Sequence, residues 1–143
     1  MVDALDEAHR VLAPNGTLVD ARPDSRVFAR VRRAATRRVI GFVSTQRDTK
    51  TDDSLADRAV RIAVRRALFR SVRRGRFWHA LPFSDAADLQ GYLDDHARFS
   101  RRVRWSVSPS SRSGALLFDR AIRFEILSRR QVPSTNEVSH TAS

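Results

Sequence analysis

The segment from Leu5 to Pro23 constrains this chain more than any other. Leu5, Ala8, Val11 and Leu12 recur at three- and four-residue spacing, which predicts one apolar face of a helix. Pro14 stops that helix, because its ring pushes Ala13 out of the helical region. Asn15-Gly16 supplies the positive φ that a reversal needs. Thr17-Leu18-Val19 then has the β-branched, apolar character of a short strand, which Pro23 ends. Helix, stop and strand in so few residues predict an α/β unit.

With 143 residues, of which 41% are hydrophobic, the chain is long enough for one domain with a modest core. It has no apolar run near membrane-spanning length. The first residues enter a helix without a basic-then-apolar leader pattern, so the expected location is cytoplasmic. Absence of cysteine excludes a disulfide framework and thiolate metal ligands. The formal net charge is +11, and Lys50 is the only lysine. Such a balance suits a polyanionic partner. The arginines are nevertheless scattered from Arg10 to Arg130, and along the chain aromatics do not interleave with them as a stacking platform requires. Nucleic acid is therefore the weaker expectation for a partner.

Glu7-x-His9-Arg10-Val11-Leu12-x-Pro14-x-Gly16-x-Leu18 resembles the segment leading into the fifth strand of class I S-adenosylmethionine-dependent methyltransferases. The resemblance covers Leu5 to Pro23; beyond it only the order of elements agrees. It implies an α/β fold, part of a Rossmann-like methyltransferase sheet, with residues 1–130 as the C-terminal part of the domain. A segment at about 27–83 would be an insertion on the acceptor side, and 131–143 a disordered polar tail. It also implies S-adenosylmethionine as cofactor. That cofactor needs a Gly-x-Gly-type cradle, and Gly16, Gly41, Gly75, Gly91 and Gly114 lie too far apart to form one. No cofactor-binding residue is therefore assigned. The expected protein is methyltransferase-like, without the cofactor-binding half and inactive alone, with a companion chain as the expected partner. The free edge of the Thr17–Ala21 strand would invite such an association. The alternative is a small basic binding or regulatory module.

Asp20, Arg22 and Asp24 follow the strand at its C-terminal end, where open α/β sheets place ligands. They are the substrate-side candidates: Asp20 to orient an acceptor, Arg22 to hold an anionic group. No catalytic residue is assigned. His9, His79, His96 and His140 show no metal-ligand spacing, and Asp94-Asp95-His96 reads as a solvated helix end.

Elsewhere, two short strands are expected between Asp24 and Thr45 with a turn near Ala34-Ala35-Thr36. Gln46 to Asp53 reads as a loop. A long helix is expected from Ser54, as its cap, to Arg74, ended by Gly75. A strand follows over Arg76–Phe83, then a helix from Ser84 to about Ala97 with Ala86, Leu89, Tyr92 and Leu93 inward. Arg101–Ser108 and Leu116–Ser128 are expected to form a closing antiparallel hairpin.

Overall fold

The computed structural model describes residues 2–130. The expected tail at 131–143 lies outside the described residues. In chain order the elements are α1 (Val2–Val11), β1 (Thr17–Pro23), β2 (Ala29–Arg33), β3 (Val39–Val43), α2 (Arg47–Arg65), β4 (Phe69–Phe83), α3 (Ala86–Asp95), β5 (Arg104–Trp105) and β6 (Leu116–Arg129). The fold is α/β, with the strands in one sheet whose pairings are all antiparallel among the described residues.

The helix–stop–strand unit forms as its residues dictate. The Gly16 amide donates to the Ala13 carbonyl at 2.8 Å, and Asn15 takes the positive φ of 62°. A Cβ on Gly16 would lie 2.8 Å from that same carbonyl oxygen, so the turn accepts only glycine there. The inward face of α1 is Leu5 and Ala8, continued by Leu12 just past its end. Val11, expected on that face, is 62% exposed; a fourth apolar residue would widen the stripe beyond what α2 and the sheet cover.

Strand β6 organises the sheet. Along its whole length it pairs with β4, from Leu116↔Phe83 to Arg129↔Phe69. On its other side it pairs first with β2, through Leu116 to Asp119, and then with β1, through Ile122 to Ser128. Because β1 and β4 are each antiparallel to β6, they are parallel to one another with β6 between them. On that side β1 has an antiparallel neighbour, and the described residues contain no directly paired parallel strands. The far edge of β1 has no strand partner among the described residues.

Alternation along β6 divides the core in two. Leu116 and Phe118 face α3 and pack with Val31, Ile40, Val43, Leu89 and Leu93. Leu127, of opposite parity, faces α1 and α2 and packs with Phe69, Val60 and Ala63. The helices therefore cover opposite faces at opposite ends of the sheet. Two quarters of the sheet carry no helix among the described residues.

Several expectations change. The closing hairpin partner of β6 is β4, not Arg101–Ser108, where only Arg104 and Trp105 form a strand, against β3. Helix α2 starts at Arg47, inside the stretch expected to be a loop, and ends at Arg65. Ser54 is inside the helix, its hydroxyl donating to the Lys50 carbonyl at 2.9 Å, so it is not the cap. Arginine-rich 69–74 fits a helix by local pattern, but Phe69 fills the α1–α2 core only from a strand paired with β6. The change of direction is made at Ala67, with a positive φ of 58°. Gly75 is not a helix stop. It lies in β4 under the Phe124 ring, where a Cβ would sit 2.6 Å from ring carbon Cζ. The cap of α3 is Asp85 rather than Ser84: its carboxylate accepts from the Asp88 amide at 2.9 Å, while the Ser84 amide and hydroxyl donate back to the Asp88 carboxylate. The two short strands β2 and β3 and the inward face of α3 form as expected.

Candidate functional site: an arginine-lined cleft beside an open sheet face

A cleft of about 470 Å³ lies between α2 and the face of β1, β6 and β4 that α2 covers. Asp20, Arg22 and Asp24 all line it. Alternation puts Asp20 and Arg22 on one face of β1, opposite Glu125 and Arg123 in the β1–β6 register. The same register across β4 adds Arg74 and Arg76. Helix α2 supplies Asp57 and Arg61.

These charges form two networks, and beside them the pair Arg74–Glu125 at 2.9 Å. In the first, the Arg22 Nη2 lies 2.6 Å from Asp20 and 3.1 Å from Asp57. Arg123 donates to the same Asp57 carboxylate. In the second, the Asp24 side chain is buried and accepts from Arg26 at 2.9 Å and from Arg76 at 2.7 Å. Around the cleft six arginines face four carboxylates, two positive charges in excess. Asp20 is held by Arg22 and has lost the freedom expected of a group that orients an acceptor. Arg22 keeps one donor: its Nη1 is buried with no partner among the described residues. The arrangement suits an anion better than a cation.

Burial raises the Asp24 pKa, but the Arg26 and Arg76 hydrogen bonds outweigh it and hold the carboxyl at about 2, against an ordinary 3.8. The Arg123 guanidinium is pushed down, first by burial and then by Arg22 and Arg26. Because the folded Asp24 pKa is depressed, its stabilisation is complete above pH 3.8 and is lost as pH falls through about 2. Its size is about 2 kcal/mol. Urea unfolding of the wild type and Asp24→Asn at stepwise lower pH measures it. The stability gap between them should shrink by about 2 kcal/mol across that window. A gap independent of pH would refute the coupling.

Sequence reasoning placed three residues of the cleft and missed Arg26, Asp57, Arg76 and Arg123. Asp57 stands four residues before Arg61, a helical spacing that offers a local partner and conceals the distant ones, Arg22 and Arg123. The strict alternation of Arg123 and Glu125 with Ile122, Phe124 and Ile126 is the signal that could have placed Arg123 opposite the apolar face.

The histidines have structural surroundings. His9 donates through Nε2 to the Arg130 carbonyl and stands edge-on to Phe69 at 5.5 Å. His79 is not packed among the strand's aromatics; it is exposed and accepts from Arg120 at 3.3 Å. His96 stacks on Tyr92 and donates to its carbonyl, and Asp94 accepts from Gln90. His140 lies outside the described residues. Among the described residues no group of three or more His, Asp or Glu stands close enough to hold a metal. No helix among them is long and apolar enough to cross a membrane.

The glycines bear on the cofactor. Gly41 lies against Val103 and Trp105, Gly75 under Phe124, and Gly16 in the turn after α1. Gly91 and Gly114 have open space around them, one in α3 and the other in the loop before β6. None belongs to a strand–loop–helix cradle for a nucleoside cofactor, so the residues present do not fit S-adenosylmethionine.

No family model, no curated protein and no solved structure matches this chain.

Proposed function

We propose that this chain is the C-terminal part of a methyltransferase-like domain, inactive alone, whose cofactor-binding half is supplied by a companion polypeptide. One observation carries the reading: β6 lies antiparallel between β1 and β4, two mutually parallel strands whose connection contains α2. That is the closing arrangement of strands that the resemblance at Leu5–Pro23 implies for a Rossmann-like methyltransferase sheet. The far edge of β1, without a strand partner among the described residues, supports that reading, because in that sheet it carries a further parallel strand. The insertion expected at about 27–83 then narrows to β2 and β3: helix α2 is the ordinary crossover into β4, and α3 and β5 are further additions at the β2 end of the sheet. The acceptor side is the cleft at Asp20, Arg22 and Asp24, where Arg22 receives an anionic group. Methyl transfer by in-line displacement depends mainly on positioning, so this half needs to supply no general base.

The test is calorimetric titration with S-adenosylmethionine and S-adenosylhomocysteine. The chain alone should give no binding heat. Its complex with the polypeptide encoded immediately upstream, if that contains a strand followed by a Gly-x-Gly loop, should bind stoichiometrically. Stoichiometric binding to the chain alone would overturn the reading. So would an upstream sequence without that loop, together with a chain that captures no cofactor-binding polypeptide.

A further inference from the structure

On the helix-free quarter beside the cleft, the sheet assembles what the linear sequence keeps apart. Pairing across β5, β3, β2, β6 and β4 gives the row Arg104–Phe42–Arg30–Asp119–Ala80 on one face. Trp78, two residues from Ala80, shares that face. Phe28 closes the group at the start of β2, and a shallow depression joins Phe28, Phe42, Arg30 and Trp78. Phe28 is 43% exposed, Phe42 38% and Trp78 38%. The Arg30 guanidinium lies over the Trp78 ring at 3.6 Å from its centroid and is held there by Asp119 at 3.2 Å. Arg26 lines both this depression and the arginine cleft, so the two adjoin at that residue.

We infer that this face binds single-stranded nucleic acid, with bases stacked on Phe28, Phe42 and the Arg30–Trp78 pair and a backbone phosphate in the cleft at Arg22. Isolated exposed aromatics are ordinary on a protein surface. Three in one depression, with a guanidinium already aligned on one ring, form a stacking surface that accepts any base. Charge selects the occupant. The chain carries +11, and the cleft that Arg22 lines has two arginines in excess of its carboxylates. A phosphodiester offsets that excess, which a neutral protein segment does not. A duplex keeps its bases stacked internally and offers nothing to the rings. The inference rests on the open face and the cleft, not on the methyltransferase-like reading.

The test is fluorescence anisotropy with a fluorescein-labelled mixed-sequence RNA of about twelve nucleotides and its DNA equivalent, each single-stranded and as a duplex. The single strands should bind, with affinity falling steeply as salt rises. Trp78→Ala and Phe42→Ala should each weaken binding roughly 5- to 100-fold, while Arg65→Ala, on the far end of α2, should change it by less than about twofold. Circular dichroism checks that each variant is folded; Trp78→Phe, which keeps an aromatic ring, should retain most of the affinity. Three results would overturn the inference. The first is equal affinity for duplex and single strand. The second is equal loss from Arg65→Ala and Trp78→Ala, which marks diffuse electrostatic attraction. The third is a change in oligomeric state rather than in binding when Trp78 or Phe42 is removed, which assigns the face to a second copy or another protein.

Discussion

Phe118→Ala is expected to lower the unfolding free energy by about 3–5 kcal/mol. Phe118 is fully buried on β6, where the α3 core meets the sheet. Its ring stands edge-on to Phe99 at 5.2 Å, to Tyr92 at 5.9 Å and to Phe83 at 6.5 Å. These neighbours come from β4, α3 and the segment before β5, so collapse around the deletion would require three elements to move together. The cavity therefore persists, and the cost of lost transfer is joined by the cost of the void. A domain of this size has only about 5–15 kcal/mol of stability, so the variant should be marginal. Urea unfolding measures the loss. Phe118→Leu, which refills much of the volume, should cost less than half as much. Equal costs for the two would mean that the ring contacts rather than volume hold this core.

The second large effect is expected at Asp119. Its carboxylate is completely buried and accepts from Arg32 at 2.5 Å and from Arg30 at 3.2 Å, both on β2. Asp119→Ala leaves two guanidinium groups against the sheet without their counter-charge. Breaking a buried pair in this way costs about 3–5 kcal/mol. Removing a cation as well should recover part of that loss, so Asp119→Leu with Arg32→Leu is expected to be more stable than Asp119→Ala. Denaturant midpoints of the three proteins decide it. A cost below about 1 kcal/mol for Asp119→Ala would show that solvent reaches the arginines and screens the pair. Because Asp119 also holds Arg30 over Trp78, the same substitution tests how far the stacking surface depends on preorganisation.

Gly75 illustrates how local cues mislead. A glycine after a row of arginines reads as the end of a helix, since cations favour the last turn. In the fold it is the place where β4 passes beneath Phe124. Nothing within a few residues of Gly75 encodes Phe124, which arrives from the last strand. Arg26, Asp57, Arg76 and Arg123 were illegible for the same reason. Each has a local role that satisfies sequence reasoning, and each acquires its functional partners from a distant element. Phe28, Phe42 and Trp78 show it most plainly. No arginine–aromatic platform is visible along the chain, yet strand pairing brings the three rings onto one face with Arg30.

Local features were legible along the chain: the helix, stop and strand from Leu5 to Pro23, the turn at Asn15-Gly16, the inward face of α3, and the strand end that carries Asp20, Arg22 and Asp24. Spacing, capping and the φ requirements of proline and glycine act within a few residues, so they can be read directly. The neighbours of β6, the end of α2 at Arg65, the split of the core onto opposite sheet faces, and the placing of an arginine cleft beside an aromatic surface came from the packed fold. Those depend on which strands pair and in which register. Non-local burial sets both: Phe69 and Leu127 leave water where β6 lies between β1 and β4, and Phe118 where it lies between β2 and β4.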